Sequence, residues 1–316
     1  MDKKISRRNF FISGLVLGTL SSFGTTFLSK ILHGAVKTNI LNKDIDVAVA
    51  SGDNYFENTK KTIEILGGIN KFVPKNSRVL LLGNVWRAPG TFTKPEIFRA
   101  VAQMCNEAGS KKITCISMMP PRNWDITGNR VALEKEGVEL KLFDYKDNSK
   151  YTSVPIPKGI ILKKAEVLKE FFSYDVFINI PICKDHISTV FSCTMKNLMG
   201  LTSYRCNRKF HIEERDLKVN KADYLAQCIA DLNTIINPTL NIVDATEFIS
   251  TNGPMGPGKI IKPLKVIAGV DRIAIDAYCI TLLDRKIDRV LKVRKGYDHG
   301  LGEIDISKVR IKEVYL

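Results

Sequence analysis

Four consecutive apolar residues, Val79, Leu80, Leu81 and Leu82, follow Arg78 and run into Gly83-Asn84. A strand with one wet face alternates apolar and polar residues, so a run with no polar member is buried on both faces. Such a strand needs cover above and below its sheet. Helices between successive strands supply that cover, and the sheet is then largely parallel.

The surrounding pattern meets this demand. Val47–Ala50 reads as a short strand and Tyr55–Leu66 as a helix stopped by Gly67-Gly68. Thr93 reads as an N-cap, with Pro95 and Glu96 in the first turn of a helix reaching Ala108. Lys111–Ser117 and Val138–Phe143 are predicted strands, and 126–136 and Lys163–Phe172 predicted helices. Val176–Ile180 is β-branched and aromatic and ends at Pro181. An amphipathic helix follows over 221–236, then strands at Leu240–Val243 and Leu264–Ala268 and a helix at Ala274–Leu283. Ile304–Tyr315 alternates enough for one or two short strands. The expected fold is α/β, a largely parallel sheet with helices on both faces. Residues 144–162, with Pro155 and Pro157, mark either a boundary between two lobes or an insertion.

The stretch Asp175–Leu201 carries the densest chemistry. A buried strand empties into Lys184, His186, Lys196 and Asn197, with Ser188, Thr189, Ser192, Cys193 and Thr194 between them. Ligands of open α/β sheets bind just past the carboxyl ends of strands. A solvated loop and helix is the competing interpretation.

The formal charge of +15 admits a polyanion partner. The lysines are spread along the chain, however, without the clustered Lys/Arg and interleaved aromatics of nucleic-acid readers, so no nucleic acid is expected as a partner. The seven cysteines form no C-x-x-C pair and show no zinc or ferredoxin spacing. Cys183, Cys193 and Cys206 flank the central stretch and offer an alternative role, a non-catalytic metal or iron–sulfur carrier.

Residues 1–35 read as a targeting segment. Ser6-Arg7-Arg8-Asn9-Phe10 precedes an uncharged run to Leu28, which resembles a twin-arginine export signal. Export to the periplasm or the outer face of the cytoplasmic membrane is the expectation, with the signal either cleaved or kept as an anchor. The segment holds five positive charges (Lys3, Lys4, Arg7, Arg8, Lys30) and one negative (Asp2), so its removal lowers +15 to +11. Membrane contact is expected only through this segment, and 36–316 forms the α/β domain.

Several motifs in order give a family resemblance: Val79-Leu-Leu-Leu-Gly-Asn84, Thr93-Lys-Pro-Glu96, Ile180-Pro-Ile-Cys-Lys-Asp-His186, Met195-Lys-Asn-Leu-Met-Gly200, Ile229-Ala-Asp-Leu-Asn233, Val243-Asp244, Asn252-Gly-Pro254, Asp271 with Asp276, and Gly300-Leu-Gly302. From about Val47 to Val314 the chain resembles the bacterial and archaeal family catalogued as domain of unknown function 362, which has no generally established reaction. Some of its members carry a ferredoxin-like segment whose cysteine runs this chain lacks. The family usually has Lys-Pro where Leu82-Gly83 stand, so any role of that lysine is lost or supplied by another residue. His186, Lys196 and Gly200 are also similar to positions in the nickel-pincer lactate racemase group, over one segment only.

These residue types define candidate roles. Lys184, Lys196 and Arg205 suit an anion such as phosphate or carboxylate. His186 can serve as acid, base or metal ligand. His186, Lys196 and Lys184 are the candidate catalytic residues. Asn84, Asn197, Asp244, Asp276 and Arg205 are the candidate ligand-binding residues. Asp271 reads as a helix N-cap, whereas Asp276 sits inside an apolar helix and is expected to pair with a lysine, in a site or as a structural ion pair. No resident metal or cofactor is assigned. The expected ligand is a small anionic molecule or cofactor, which the chain either carries or transforms.

Overall fold

The structure, a computed structural model, describes residues 45–211 and 220–316. The expected export signal lies outside the described residues. In chain order the first half runs β1 (Val47–Ser51), α1 (Tyr55–Ile65), β2 (Arg78–Gly83), α2 (Pro95–Glu107), β3 (Lys112–Ser117), α3 (Pro121–Ile126), α4 (Asn129–Lys135) and β4 (Glu139–Leu142). Next come β5 (Tyr151–Pro155), β6 (Lys164–Leu168), β7 (Val176–Ile180), β8 (Lys184–His186), β9 (Val190–Ser192), α5 (Thr194–Asn197) and α6 (Tyr204–Phe210). The rest is α7 (Lys221–Asn233), β10 (Leu240–Ala245), β11 (Phe248–Ile249), β12 (Ile260–Ile261), β13 (Lys265–Gly269), α8 (Arg272–Leu282), α9 (Leu291–Asp298) and β14 (Ile311–Tyr315).

Eight strands form one sheet in the order β14-β1-β13-β10-β7-β2-β3-β4. Only β13 runs against its two neighbours; the remaining pairs are parallel. The fold is therefore α/β with a largely parallel sheet. The all-apolar run lies on β2, between β7 and β3, and Val79, Leu80 and Leu81 are fully buried. Each such side chain stabilises the fold by about 1.5–3 kcal/mol relative to exposure.

Alternation along the strands splits the interior in two. Ala48, Val79, Leu81, Cys115, Ile178 and Ile242 meet Ile63 of α1 and Ile97, Phe98 and Val101 of α2 in one core. Leu80, Leu82, Phe177, Asn179, Asn241 and Val243 alternate with them and face the other way. On that second side α5 packs on β7 and α8 on β13, with α7 against α9. The side that holds α5 and α7–α9 also carries the candidate site.

Three local expectations need correction. Lys163–Phe172 is a strand and a 3-10 turn, not a helix. Buried Ala165 and Val167 alternate with Lys164 and Glu166, and β6 pairs antiparallel with β5, so period two prevails. The single helix at 126–136 is two, broken at Gly128, which takes φ +74 and leads into α4. The N-cap before α2 is Lys94, because the Thr93 hydroxyl donates instead to the Ile180 carbonyl at 2.9 Å. That bond ties the start of α2 to the end of β7.

The stretch 144–162 contains β5, one arm of the β5–β6 ribbon. Among the described residues no helix is long and apolar enough to cross a membrane.

Candidate functional site

At the carboxyl ends of β2 and β3, a cavity of about 160 Å³ opens between the sheet and α5. Its polar lining comes from Asn84, Ser117, Ser192, Lys196, Asn197, Asn207 and His211. Its apolar lining is mostly sulfur-bearing: Met118, Met119 and Met199, with Leu82. No Asp or Glu is among the lining residues.

The amide groups are set by a chain of hydrogen bonds running one way. Lys184 Nζ donates to Asn84 Oδ1 at 2.8 Å, and Asn84 Nδ2 donates to Asn197 Oδ1 at 3.1 Å. Asn197 Nδ2 donates to Asn179 Oδ1 at 2.8 Å and to the Leu82 carbonyl at 3.1 Å. Asn179 Nδ2 continues to Asn241 Oδ1 at 2.9 Å and to the Thr194 carbonyl at 3.1 Å. Asn241 Nδ2 ends the chain on the Val270 carbonyl at 3.3 Å. The sheet register makes this reachable, since Leu82, Asn179 and Asn241 are cross-strand partners on β2, β7 and β10. The Leu82, Thr194 and Val270 carbonyls can only accept, so they fix the orientation of Asn197, Asn179 and Asn241, and Asn84 follows from Asn197 Oδ1. Buried amides without partners would each cost about 1–3 kcal/mol.

Lys196 is the other cation. Its residue is only partly exposed, and among the described residues its ammonium has no hydrogen-bond or ion-pair partner. Burial pushes it down to about 8. Lys184, 3 % exposed, is pushed down to about 7 by burial and then by Lys196. Lys292 of α9, 1 % exposed, is likewise lowered to about 7, chiefly by burial, against the opposing pull of Asp276. Its Nζ donates to the Phe191 carbonyl at 2.6 Å and lies 4.8 Å from the centre of the Phe191 ring, fastening β9 from behind.

His186 stands beside this group but not among the lining residues. Its Nδ1 accepts the Ser188 N–H at 3.2 Å. Burial first, then the charges of Lys196, Lys184 and Lys292, push its pKa down to about 2. With no anion present the imidazole is neutral at any ordinary pH, too weak a base to be poised for proton abstraction near neutrality.

The remaining candidates are elsewhere. Asp244 accepts from the Lys94 N–H at 2.8 Å and from the N–H and hydroxyl of Thr246 at 2.9 and 2.7 Å. It holds the start of α2 to the end of β10. Asp276 accepts from the N–H and hydroxyl of Thr194 at 2.8 and 2.6 Å and so caps α5 from beneath. It makes no ion pair with Lys292 within 4 Å, and burial raises its pKa. Arg205 pairs with Glu166 at a side chain 63 % exposed. None of these three lines the cavity. Asp271, read as a helix N-cap, is one: Oδ1 accepts from Ile273 N and Ala274 N.

Sequence reasoning missed Asn179, Asn241, Ser117, Asn207 and His211 as members of the group. One signal was available. Asn179 interrupts the apolar strand VFINI, and Asn241 interrupts LNIV, at positions where only a partnered amide is tolerated. The residue opposite Asn84 is Lys184, which brings an ammonium to the asparagine where Leu82-Gly83 carry none. Gly83 itself is required by packing, since a Cβ there would stand 2.1 Å from Phe98 Cζ. Of the flanking thiols, Cys183 and Cys193 stand together with Cys279, Cys183 Sγ lying 3.8 Å from the Cys279 carbonyl, and Cys206 is apart on α6. Among the described residues no group of three or more His, Cys, Asp or Glu is arranged to hold a metal ion.

The three depressed lysines predict an unusual pH dependence. The unfolded chain binds more protons than the folded one between their folded values, about 7 to 8, and the ordinary lysine value of 10.5. Stability rises with pH wherever the unfolded state binds more protons. The thermal midpoint of the ligand-free protein is therefore expected to climb from about pH 6.5 to about pH 9.5. A Lys184→Met, Lys292→Met double variant should flatten the climb, and differential scanning calorimetry across that range decides it. An equally steep climb in the double variant would contradict the assignment.

Comparison with known proteins adds the following. The family model described as domain of unknown function (DUF362) matches residues 79–281. The thylakoid-associated protein sll1697 of Synechocystis sp. is 27 % identical over 198 residues, 61 % of this chain and 59 % of that protein. The chain thus spans about three fifths of the length of this curated relative. Among solved structures, the lactate racemase apoprotein from Thermoanaerobacterium thermosaccharolyticum superposes with a TM-score of 0.49 at 14 % identity, covering 77 % of this chain and 58 % of that one. A structural-genomics protein from Thermotoga maritima gives 0.43 at 13 % identity, covering 66 % and 55 %.

Proposed function

The chain belongs to the domain of unknown function (DUF362) family, and on that premise we propose a function from its pocket: it binds a small organic anion. The observation that carries this is Lys196, an ammonium beside a cavity whose lining holds no carboxylate to neutralise it. The head of the ligand lies on Lys196, with the Asn84 and Asn197 amides and the Ser117 and Ser192 hydroxyls around it. The methionine wall takes a short apolar body. A phosphate or sulfate ion would turn its outer oxygens towards that wall and leave them unpaired. A cavity near 160 Å³ suits a ligand of about six non-hydrogen atoms, the size of benzene. Butyrate has that size and charge. Titration of butyrate into the wild-type protein and a Lys196 variant tests the reading, and absence of any heat with the wild type would remove its basis.

We propose further that the protein is exported by the twin-arginine route, on the strength of Ser6-Arg7-Arg8-Asn9-Phe10. An R7K/R8K double variant keeps the charge and loses the arginine pair. Residues 1–44 fused to a reporter that folds before transport should deliver it outside the cytoplasm, and the variant should deliver essentially none. Equal delivery by both would count against the route.

A further inference from the structure

We infer that occupation of the pocket by an anion is coupled to the uptake of one proton by Lys184, the buried amine hydrogen-bonded to Asn84. This rests on the anion-site reading above and adds a regulation to it.

The geometry comes first. Lys184 Nζ has two acceptors, Asn84 Oδ1 at 2.8 Å and the Thr91 carbonyl at 3.0 Å. A neutral amine has two N–H groups, which these acceptors satisfy. The ammonium has a third, which has no acceptor among the described residues. The same pair of hydrogen bonds therefore serves both protonation states, and the proton can come and go without moving Asn84. What decides between the states is the field at the site.

The charge that sets this field is Lys196 of α5, which lowers Lys184 after burial. His186 of the same strand is itself lowered by Lys184, and Lys292 of α9 and His211 at the end of α6 act on His186. The carboxylates nearby are committed elsewhere: Asp276 to α5, Asp244 to Lys94 and Thr246, and Asp185 to Arg285 at 2.5 Å and the Gly253 N–H at 2.8 Å. In the empty pocket Lys184 meets positive charge and little else, and burial holds it near neutrality. A carboxylate on Lys196 places a negative charge one hydrogen-bonded residue away, across Asn84. The neutral amine then takes a proton from the buffer and becomes ammonium. Nothing else is consumed, and release of the anion returns the proton.

Butyrate is the probe. Its binding heat is measured at about pH 7.5 in Tris and in imidazole at equal chloride, two cationic buffers whose protons cost different enthalpies. The wild type should show heats that differ between buffers, in the sense of a fraction of one proton taken up per anion. The difference should shrink towards about pH 5.5, where Lys184 is already charged. Two variants assign the proton. In Lys184→Met binding should weaken by about tenfold or less and the buffer dependence should fall to the smaller share that Lys196 takes up. In Lys196→Arg the pocket cation cannot lose its charge, so uptake should persist if Lys184 carries it and disappear if Lys196 does. The Arg variant keeps the test decisive should Lys184→Met fail to fold. Equal heats in both buffers with wild-type protein, or loss of uptake in Lys196→Arg, overturn the inference while leaving the anion site intact. Absence of butyrate binding overturns both.

Discussion

Lys196→Met is expected to weaken butyrate binding by about 100-fold or more, because a desolvated ammonium facing a carboxylate is worth about 2–5 kcal/mol when truncated. The fold should not suffer. Lys196 has no protein partner among the described residues, so its removal breaks no hydrogen bond and relieves repulsion with Lys184. Methionine fills the volume and continues the apolar wall of Met118, Met119 and Met199. The thermal midpoint should stay level or rise by a few degrees. Calorimetric titration and a thermal melt on the same sample separate the outcomes. Full binding by the variant places the anion elsewhere. A collapse in melting temperature makes Lys196 a structural residue.

Asp276→Ala should do the opposite, a large loss of stability. The carboxylate satisfies the Thr194 N–H at 2.8 Å and the Thr194 hydroxyl at 2.6 Å, all fully buried. Its removal leaves the Thr194 N–H unpaired, the hydroxyl turning to the Arg272 carbonyl at 3.1 Å, and deprives buried Lys292 of the opposite charge that favours its protonated form. Breaking a buried charge arrangement of this kind costs about 3–5 kcal/mol. At about 2–4 °C per kcal/mol for a chain of this size, the midpoint should fall by roughly 10 °C. The loss acts on α5, the element that carries Lys196 and Asn197, so any loss of butyrate binding should track unfolding. Asp276→Asn keeps an acceptor for Thr194 and should recover part of the loss. A stable Asp276→Ala protein with no affinity for butyrate would restore this aspartate to the binding site.

The contrast between Lys196 and Asp276 bears on what could be read in advance. Both are charged residues inside helices, Lys196 three residues after the N-cap of α5 and Asp276 five residues after that of α8. Nothing local distinguishes a cation that faces a cavity from a carboxylate that faces a backbone N–H. Asp244 illustrates the same point at a strand end, where residue type points to a ligand and the Thr246 and Lys94 N–H groups claim both oxygens. His186 adds a further case. Its type admits acid–base chemistry, but burial first and then the charges of three lysines hold the imidazole neutral.

The sequence by itself determined the layered α/β fold, the strand ends at Asn84 and Ile180, and the concentration of polar groups between Lys184 and Asn197. These follow from periodicity, from apolar runs and from Gly and Pro, all of which act over a few residues. Only the tertiary structure decided the partners. Register across β2, β7 and β10 brings Leu82, Asn179 and Asn241 side by side and places Asn197 over them. Lys184 then reaches Asn84, 100 positions away in sequence, and closes the chain of amides. A hydrogen bond between side chains that distant depends on how sheets stack and helices dock, and it decides which polar residue holds the fold and which is left for a ligand.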